Sequence, residues 1–134
     1  MIVDSSAIVA ILLREVERRN IADALASAST AKISAGSWIE LGAVAVRRQL
    51  TILSSDRLDA VRREFGITIE PVTAQQAIIG HEAYRTFGIG SGHRAQLNFG
   101  DCFAYALAKA TGEPLLFKGD DFTHTDITPA LPPS

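Results

Sequence analysis

The chain opens on a short apolar run, "MIVD", that ends at an acid. This pattern predicts a buried strand over residues 1–3 with Asp4 at its C-terminal end. "SSAIVAILLRE" then predicts a helix, with Ser5 or Ser6 as its N-cap. "EVERRNIADALASA" predicts a more solvated helix: Val16, Ile21, Leu25 and Ala28 form its apolar stripe, and Arg18, Arg19 and Asp23 lie off it. A brief apolar segment around Ile33 leads into a helix that runs through Glu40 to Arg48. In "SSDRLDAVRREFGI", Ser55 reads as a cap, Leu58, Val61 and Phe65 follow at helical spacing, and Gly66 closes the element. "ITIEPV" predicts a strand, and Pro71 near its end marks an edge strand or the strand exit.

The second half repeats the alternation. "TAQQAIIGHEAYRTFG" is a helix started by Thr73 and ended by Gly88, followed by the glycine-punctuated loop "IGSGHRAQLN". A helix over 99–111 comes next, with Gly112 at the position after its end and Pro114 barring continuation. "PLLFKG" predicts an apolar strand. The remainder reads as loop, one short strand near Ile127, and a flexible proline-containing tail over 129–134. Strands separated by helical segments predict an α/β fold with a central parallel sheet flanked by helices. No repeat, low-complexity run or linker divides the chain, so residues 1–134 are expected to form one domain.

Bulk properties narrow the function classes. The net charge of −2 gives no support for a broadly basic nucleic-acid binder. Cys102 is the single cysteine, which excludes an intrachain disulfide and a cysteine zinc site and fits a reducing, cytoplasmic setting. The apolar start lacks a basic leader region and carries Asp4 early, so neither a signal peptide nor a membrane span is expected.

Three acids stand apart from the other charges. Asp4 is the only charged residue before Arg14, Glu40 the only one between Lys32 and Arg47, and Asp101 the only one between Arg94 and Lys109. Carboxylates are almost never buried without a partner. Each acid has a plain alternative role: Asp4 and Asp101 as caps or complements to a helix dipole, Glu40 as a half-exposed carboxylate paired at a distance. The joint pattern is more telling. Sites in parallel sheets form beyond the carboxyl ends of strands, where Asp4 sits, and "LLFKGDD" places Asp120 and Asp121 just after another apolar strand. If those strands are neighbours, the acids converge, with Glu40 and Asp101 joining from flanking helices. Clustered carboxylates repel, and a hard divalent cation relieves the repulsion. Mg²⁺ or Mn²⁺ held in this way suits phosphodiester hydrolysis.

The same residues carry a resemblance. "MIVDSSAIVAIL", "ISAGSWIELGAVAVRR" and "LNFGDCFAYALAKATGEPLLFKGDDF" together resemble the ordered motifs of PIN-domain ribonucleases, specifically the VapC toxins of bacterial toxin–antitoxin pairs. The likeness covers nearly the whole chain. It implies a three-layer α/β/α PIN-like fold and a metal-dependent endoribonuclease that uses Mg²⁺ or Mn²⁺. By position, Asp4, Glu40, Asp101 and one acid of the "GDD" pair would form the site, with Asp4 and Asp101 as the chief metal ligands. Asp120 is preferred as the fourth acid and Asp121 as its helper, and Ser6 matches a small polar supporting position. The resemblance also implies a homodimer and a VapB-type antitoxin that covers the site, often with a basic side chain.

Other signals are weaker. "GIGSGH" superficially looks like a phosphate loop, but it follows a helix and lacks the lysine such loops use. Beside the site, His93 and Arg94 are candidates for RNA phosphate contacts, against the alternative of solvated loop residues. The three histidines show no metal-ligand spacing, and Cys102 reads as a small buried residue. The arginine doublets, Arg47 with Arg48 and Arg62 with Arg63, suit either RNA steering or a solvated face. Two other functions stay open from the residues: a non-catalytic module whose acids dock a basic partner segment, and a DNA-directed nuclease on the same scaffold.

Overall fold

A computed structural model describes residues 1–132. Four strands, β1 (Ile2–Val3), β2 (Ala31–Ser34), β3 (Ile67–Glu70) and β4 (Leu115–Leu116), form one sheet in the order β3-β2-β1-β4. Every pairing is parallel, with Ile2 opposite Leu115 and Val3 opposite Leu116. The helices are α1 (Ser5–Leu12), α2 (Arg18–Ser27), α3 (Ala35–Arg47), α4 (Ser55–Glu64), α5 (Ala74–Phe87) and α6 (Asp101–Thr111). A single 3-10 turn, Thr51–Leu53, precedes α4.

The two-residue periodicity of a strand sorts the core into two layers. Val3 and Leu116 face a cluster with Ile8, Ile21, Leu25, Leu41, Leu58 and Val61 from the first four helices. Ile2 and Leu115 face the opposite way, onto Ala83, Leu97, Ala104, Leu107 and Phe122. Ile2, Val3, Leu115 and Leu116 are all fully buried. This explains why the inner strands read as continuous apolar runs, as parallel strands covered on both faces do. The result is the expected α/β/α arrangement.

Several boundaries differ from expectation by one residue, for a shared reason. Asp4 caps α1, accepting from the Ser6 backbone N–H at 3.0 Å, where Ser5 or Ser6 was expected. Ser54 caps α4 in place of Ser55. Runs of consecutive cap-forming residues leave the choice to the chain's entry angle. Ser34, at the end of β2, caps α3 and is fully buried. β3 is an edge strand, as Pro71 suggested.

The last short strand is a single bridge, and it lies beyond Ile127. The Leu115 N–H donates to the Thr128 carbonyl and the Ala130 N–H donates to the Leu115 carbonyl, with Pro129 opposite Leu115. A proline offers no N–H to extend such a ladder. This bridge covers the free edge of β4, and Ala130 and Leu131 pack on the core. Residues 129–131 are therefore tied down where a flexible tail was expected; Pro133 and Ser134 lie outside the described residues.

Gly112 ends α6 in the left-handed region, at φ 70°, with its N–H on the Ala108 carbonyl. Nothing stands within 4 Å of where its Cβ would be, so replacing it costs conformational energy alone. Gly112→Ala should lower stability by about 1 kcal/mol, seen as a fall of about 3–5 °C in thermal unfolding. An unchanged melting temperature would contradict that reading of the helix stop.

Candidate active site

The β1–β4 pairing creates the site. The Asp4 N–H donates to the Leu116 carbonyl at 2.9 Å, which puts the ends of both strands side by side. The next contact fastens the following loop: the Lys118 N–H donates to Ser6 Oγ at 3.0 Å. Ser6 also hydrogen-bonds the Asp4 carboxylate. It therefore links Asp4 to the loop that follows β4. A 2.8 Å ion pair from Lys118 to Glu15 reinforces the same junction.

Asp4 is 3% exposed and Asp101 is 5% exposed. Asp4 Oδ2 takes the cap hydrogen bond, whereas Oδ1 is buried and has no partner. Asp101 is fixed reciprocally with Asn98. The Asn98 N–H donates to Asp101 Oδ2 at 3.0 Å, and the Asp101 N–H donates to Asn98 Oδ1 at 2.9 Å. This is a capping box, written in the sequence as Asn98 three residues before Asp101. Glu40, half-buried on α3, accepts from Ser5 Oγ at 2.7 Å. Ser5 and Asn98 thus each hold a site acid, although neither was anticipated in that role. The reciprocal Asn-x-x-Asp spacing was the available signal for Asn98.

Burial is the main electrostatic fact. It raises the Asp4 carboxyl to about 6 against the lowering effect of the Ser6 hydrogen bonds, and the negative charges of Glu40 and Asp121 add to the rise. Asp101 rises further, to about 8, again chiefly through burial, with Asp4, Asp121 and Glu40 contributing repulsion. Among the described residues, no Lys or Arg pairs with Asp4, Glu40 or Asp101.

The "GDD" pair divides in an unexpected way. Of the two, Asp121 is the one whose charge adds to the repulsion felt by Asp4 and Asp101. Asp120, the preferred fourth acid, instead lines a groove with Glu17, Asp23 and Thr123. The neighbouring Phe122 is 2% exposed. Its burial in the core beside Leu115 and Phe117 anchors the loop that carries both acids.

The loop before α6 also departs from expectation. His93 Nδ1 accepts the Ala95 N–H at 3.0 Å, and its ring meets Phe87 edge-on at 4.9 Å. That imidazole is engaged in holding the loop. Arg94 is exposed and has no carboxylate partner among the described residues. Cys102 is buried, and burial beside the charge of Asp101 pushes its thiol up to about 11, which leaves it inert as a nucleophile.

The donor set suits a hard divalent cation. It offers carboxylate oxygens only, one of them buried without a partner, in a place where positive charge is missing. Among the described residues, no three His, Cys, Asp or Glu side chains stand close enough to hold one ion together. The acids lie within electrostatic reach of one another, wider than a closed cage, which matches the few direct carboxylates that Mg²⁺ uses.

The pH dependence of stability follows from the two raised groups. Each binds its proton more tightly in the folded chain than in the unfolded one. The contribution is therefore fully present near pH 4 and is lost as pH rises through about 6 for Asp4 and about 8 for Asp101. In chelator, the melting temperature should fall by roughly 5–10 °C between pH 5 and pH 8.5. Asp4→Asn combined with Asp101→Asn should flatten that slope. A flat or rising wild-type profile would contradict the assignment.

Comparison with known proteins agrees with this geometry. The PIN domain family model matches residues 1–127. The chain is 49% identical over 130 residues to "Ribonuclease VapC42" of Mycobacterium tuberculosis, covering 97% of this chain and 98% of that one. It is 49% identical over 131 residues to "Ribonuclease VapC28" of the same organism, with 98% of each covered. Among solved structures, Mycobacterium tuberculosis VapC20, described as a "Sarcin-Ricin loop cleaving toxin", superposes with a TM-score of 0.71 at 17% identity, over 98% of each chain. A "Toxin-antitoxin complex from Klebsiella pneumoniae" contains a chain that superposes with a TM-score of 0.64 at 16% identity, over 93% of this chain and 92% of that one. With the family model matching residues 1–127 and these relatives matching it from end to end, the chain belongs to the PIN-domain family and, within it, to the VapC ribonucleases.

Proposed function

We propose that this protein is a metal-dependent endoribonuclease that hydrolyses RNA phosphodiester bonds as the toxin of a toxin–antitoxin pair. One observation carries the reading: Asp4 keeps a buried carboxylate oxygen without a partner, with Glu40, Asp101 and Asp121 within electrostatic reach. The names of the relatives at 49% identity supply RNA as the substrate class.

In this reading Asp4 and Asp101 hold Mg²⁺ or Mn²⁺. Held there, such a cation would supply Lewis-acid chemistry: polarisation of the phosphoryl oxygen, a more nucleophilic water at neutral pH and stabilisation of the leaving oxygen. The protein's own groups set up the rest. The Ser6 N–H fixes Asp4, and Asn98 fixes Asp101, so neither carboxylate has to reorganise as charge develops. Glu40, half-exposed and oriented by Ser5, is the group suited to accept the proton of the attacking water. Asp121 approaches from the loop after β4 as the fourth acid, and Asp120 takes the supporting place. Arg94, exposed at the head of the loop, is suited to a phosphate of the incoming strand, and His93 contributes by holding that loop in shape.

Two kinds of partner follow from the same features. Carboxylates without a protein counter-charge attract a basic side chain from an antitoxin segment, which would silence the site by occupying the cation's place. A homodimer is supported by exposed apolar side chains, among them Ile39, Val46, Ile78 and Phe99. An apolar groove of about 450 Å³ lined by Val72, Tyr84, Phe99 and Phe103 adds to that support. Among the described residues, no helix is long and apolar enough to cross a membrane.

Asp4→Asn should reduce RNA cleavage by about a thousandfold or more and abolish growth arrest on expression, with the fold retained. Cleavage at the wild-type rate would refute the role of Asp4, whereas a wild-type protein that neither binds Mn²⁺ nor cleaves RNA would favour a non-catalytic docking module. Asp121→Asn should cost more activity than Asp120→Asn when both variants are assayed on one RNA in Mn²⁺. The opposite order would restore Asp120 as the fourth acid.

A further inference from the structure

Gly100 precedes Asp101 at the start of α6, with φ −62° and ψ −36°. Those angles are ordinary right-handed helix, open to any residue. Backbone freedom therefore does not explain a glycine here; an alanine would suit the conformation better and would restrict the unfolded chain more. Space explains it. A Cβ built on Gly100 would lie 1.5 Å from Glu40 Oε2, 2.3 Å from its Cδ and 3.0 Å from its Oε1. The Glu40 carboxylate thus occupies the volume that any side chain at position 100 would take.

We infer that Gly100 is a positioning residue for Glu40: its bare Cα is the floor that lets the Glu40 carboxylate lie against the start of α6, beside Asp101 and within reach of Ser5 Oγ. Two elements make the contact, α3 carrying Glu40 and the capping-box turn carrying Gly100. Ser5 holds one oxygen of Glu40 at 2.7 Å, and the backbone at Gly100 receives the other side of the carboxylate. A methyl group at 100 meets only the tip of a flexible side chain, so the chain still folds. Glu40 swings out, the Ser5 hydrogen bond breaks, and the site loses one of its four acids. The same reasoning separates Gly100 from Gly36, whose missing Cβ makes room for the Phe103 ring in the interior. A side chain at 36 disturbs packing, whereas a side chain at 100 disturbs the site.

The consequence for catalysis rests on the ribonuclease reading above; the contact itself does not, and the test keeps the two apart. In metal-free protein labelled with ¹³C at glutamate, the Glu40 side-chain carboxyl resonance should move on Gly100→Ala, while the melting temperature stays at or above the wild-type value. An unmoved resonance would overturn the inference whether or not the protein cleaves RNA. For catalysis, Gly100→Ala should lower RNA cleavage in Mn²⁺ by about 10- to 100-fold. In a Glu40→Ala background the same substitution should have no further effect, because the obstructing carboxylate is gone. An equal loss in both backgrounds would show that Gly100 acts through something other than Glu40. Wild-type protein that cleaves no RNA, with a Glu40 resonance that still responds to Gly100→Ala, would defeat the ribonuclease reading and leave the positioning role standing.

Discussion

The constraint on which the molecule turns is the burial of two carboxylates, Asp4 and Asp101, without a basic side chain to neutralise them among the described residues. Burying an unpaired charge costs several kcal/mol, and a protein commonly avoids the cost by pairing the group or letting it take a proton. Here both groups are raised well above the ordinary carboxylate range, and Glu40 and Asp121 add further negative charge. Such a cluster is unfavourable for the free chain and favourable for a chain bound to a cation. In the proposed reading, stability is given up locally in favour of a site that a divalent cation would complete.

The rest of the fold serves to hold that cluster in place. β1 and β4 are each two residues long, and their value lies in where they end. Register and direct hydrogen bonding between them put Asp4 beside the loop of Asp121, and the Ser6 hydroxyl ties the two together. The helices contribute their termini. Asp4 caps α1, the Asn98–Asp101 box starts α6, and a serine on the first turn of α1 reaches Glu40 on α3. Capping is usually seen as an alternative to function for an acid at a helix start. Here the two roles coincide, because the N–H donors that satisfy the helix end also hold each carboxylate in one orientation.

Much of this was legible in the residues. The apolar runs located β1, β3 and β4 and marked β2 as a brief apolar segment around Ile33, and their isolation from other charges singled out Asp4, Glu40 and Asp101 as candidates. The parallel pairing of the strands before Asp4 and before the "GDD" pair brought the strand ends together as expected. What stayed illegible depended on loop conformation or on contacts between distant elements. The adjacent Asp120 and Asp121 cannot be told apart by sequence, since their difference lies in the fold: the charge of Asp121 reaches Asp4 and Asp101, and Asp120 lines a separate groove. His93 looked free for RNA because its hydrogen bond to the Ala95 N–H arises from the loop's own shape. Gly100 carries no signal in the sequence, since the Glu40 carboxylate that fills the place of its missing side chain lies sixty positions earlier. The closing bridge at Pro129 was invisible because a proline-rich ending ordinarily frays, and only the open edge of β4 recruits it.

The central claim is that the buried carboxylates wait for a divalent cation. The most direct measurement is the number of protons released when Mn²⁺ binds, obtained by calorimetry at pH 7 in buffers of differing ionisation enthalpy. At that pH Asp4, raised to about 6, is mostly ionised, and Asp101, raised to about 8, is mostly protonated. Ligation requires both to be ionised. The account predicts saturable binding with release of roughly one proton per site, reduced to none in Asp101→Asn. Saturable binding with no proton release by the wild-type protein, or no binding at millimolar Mn²⁺, would contradict it.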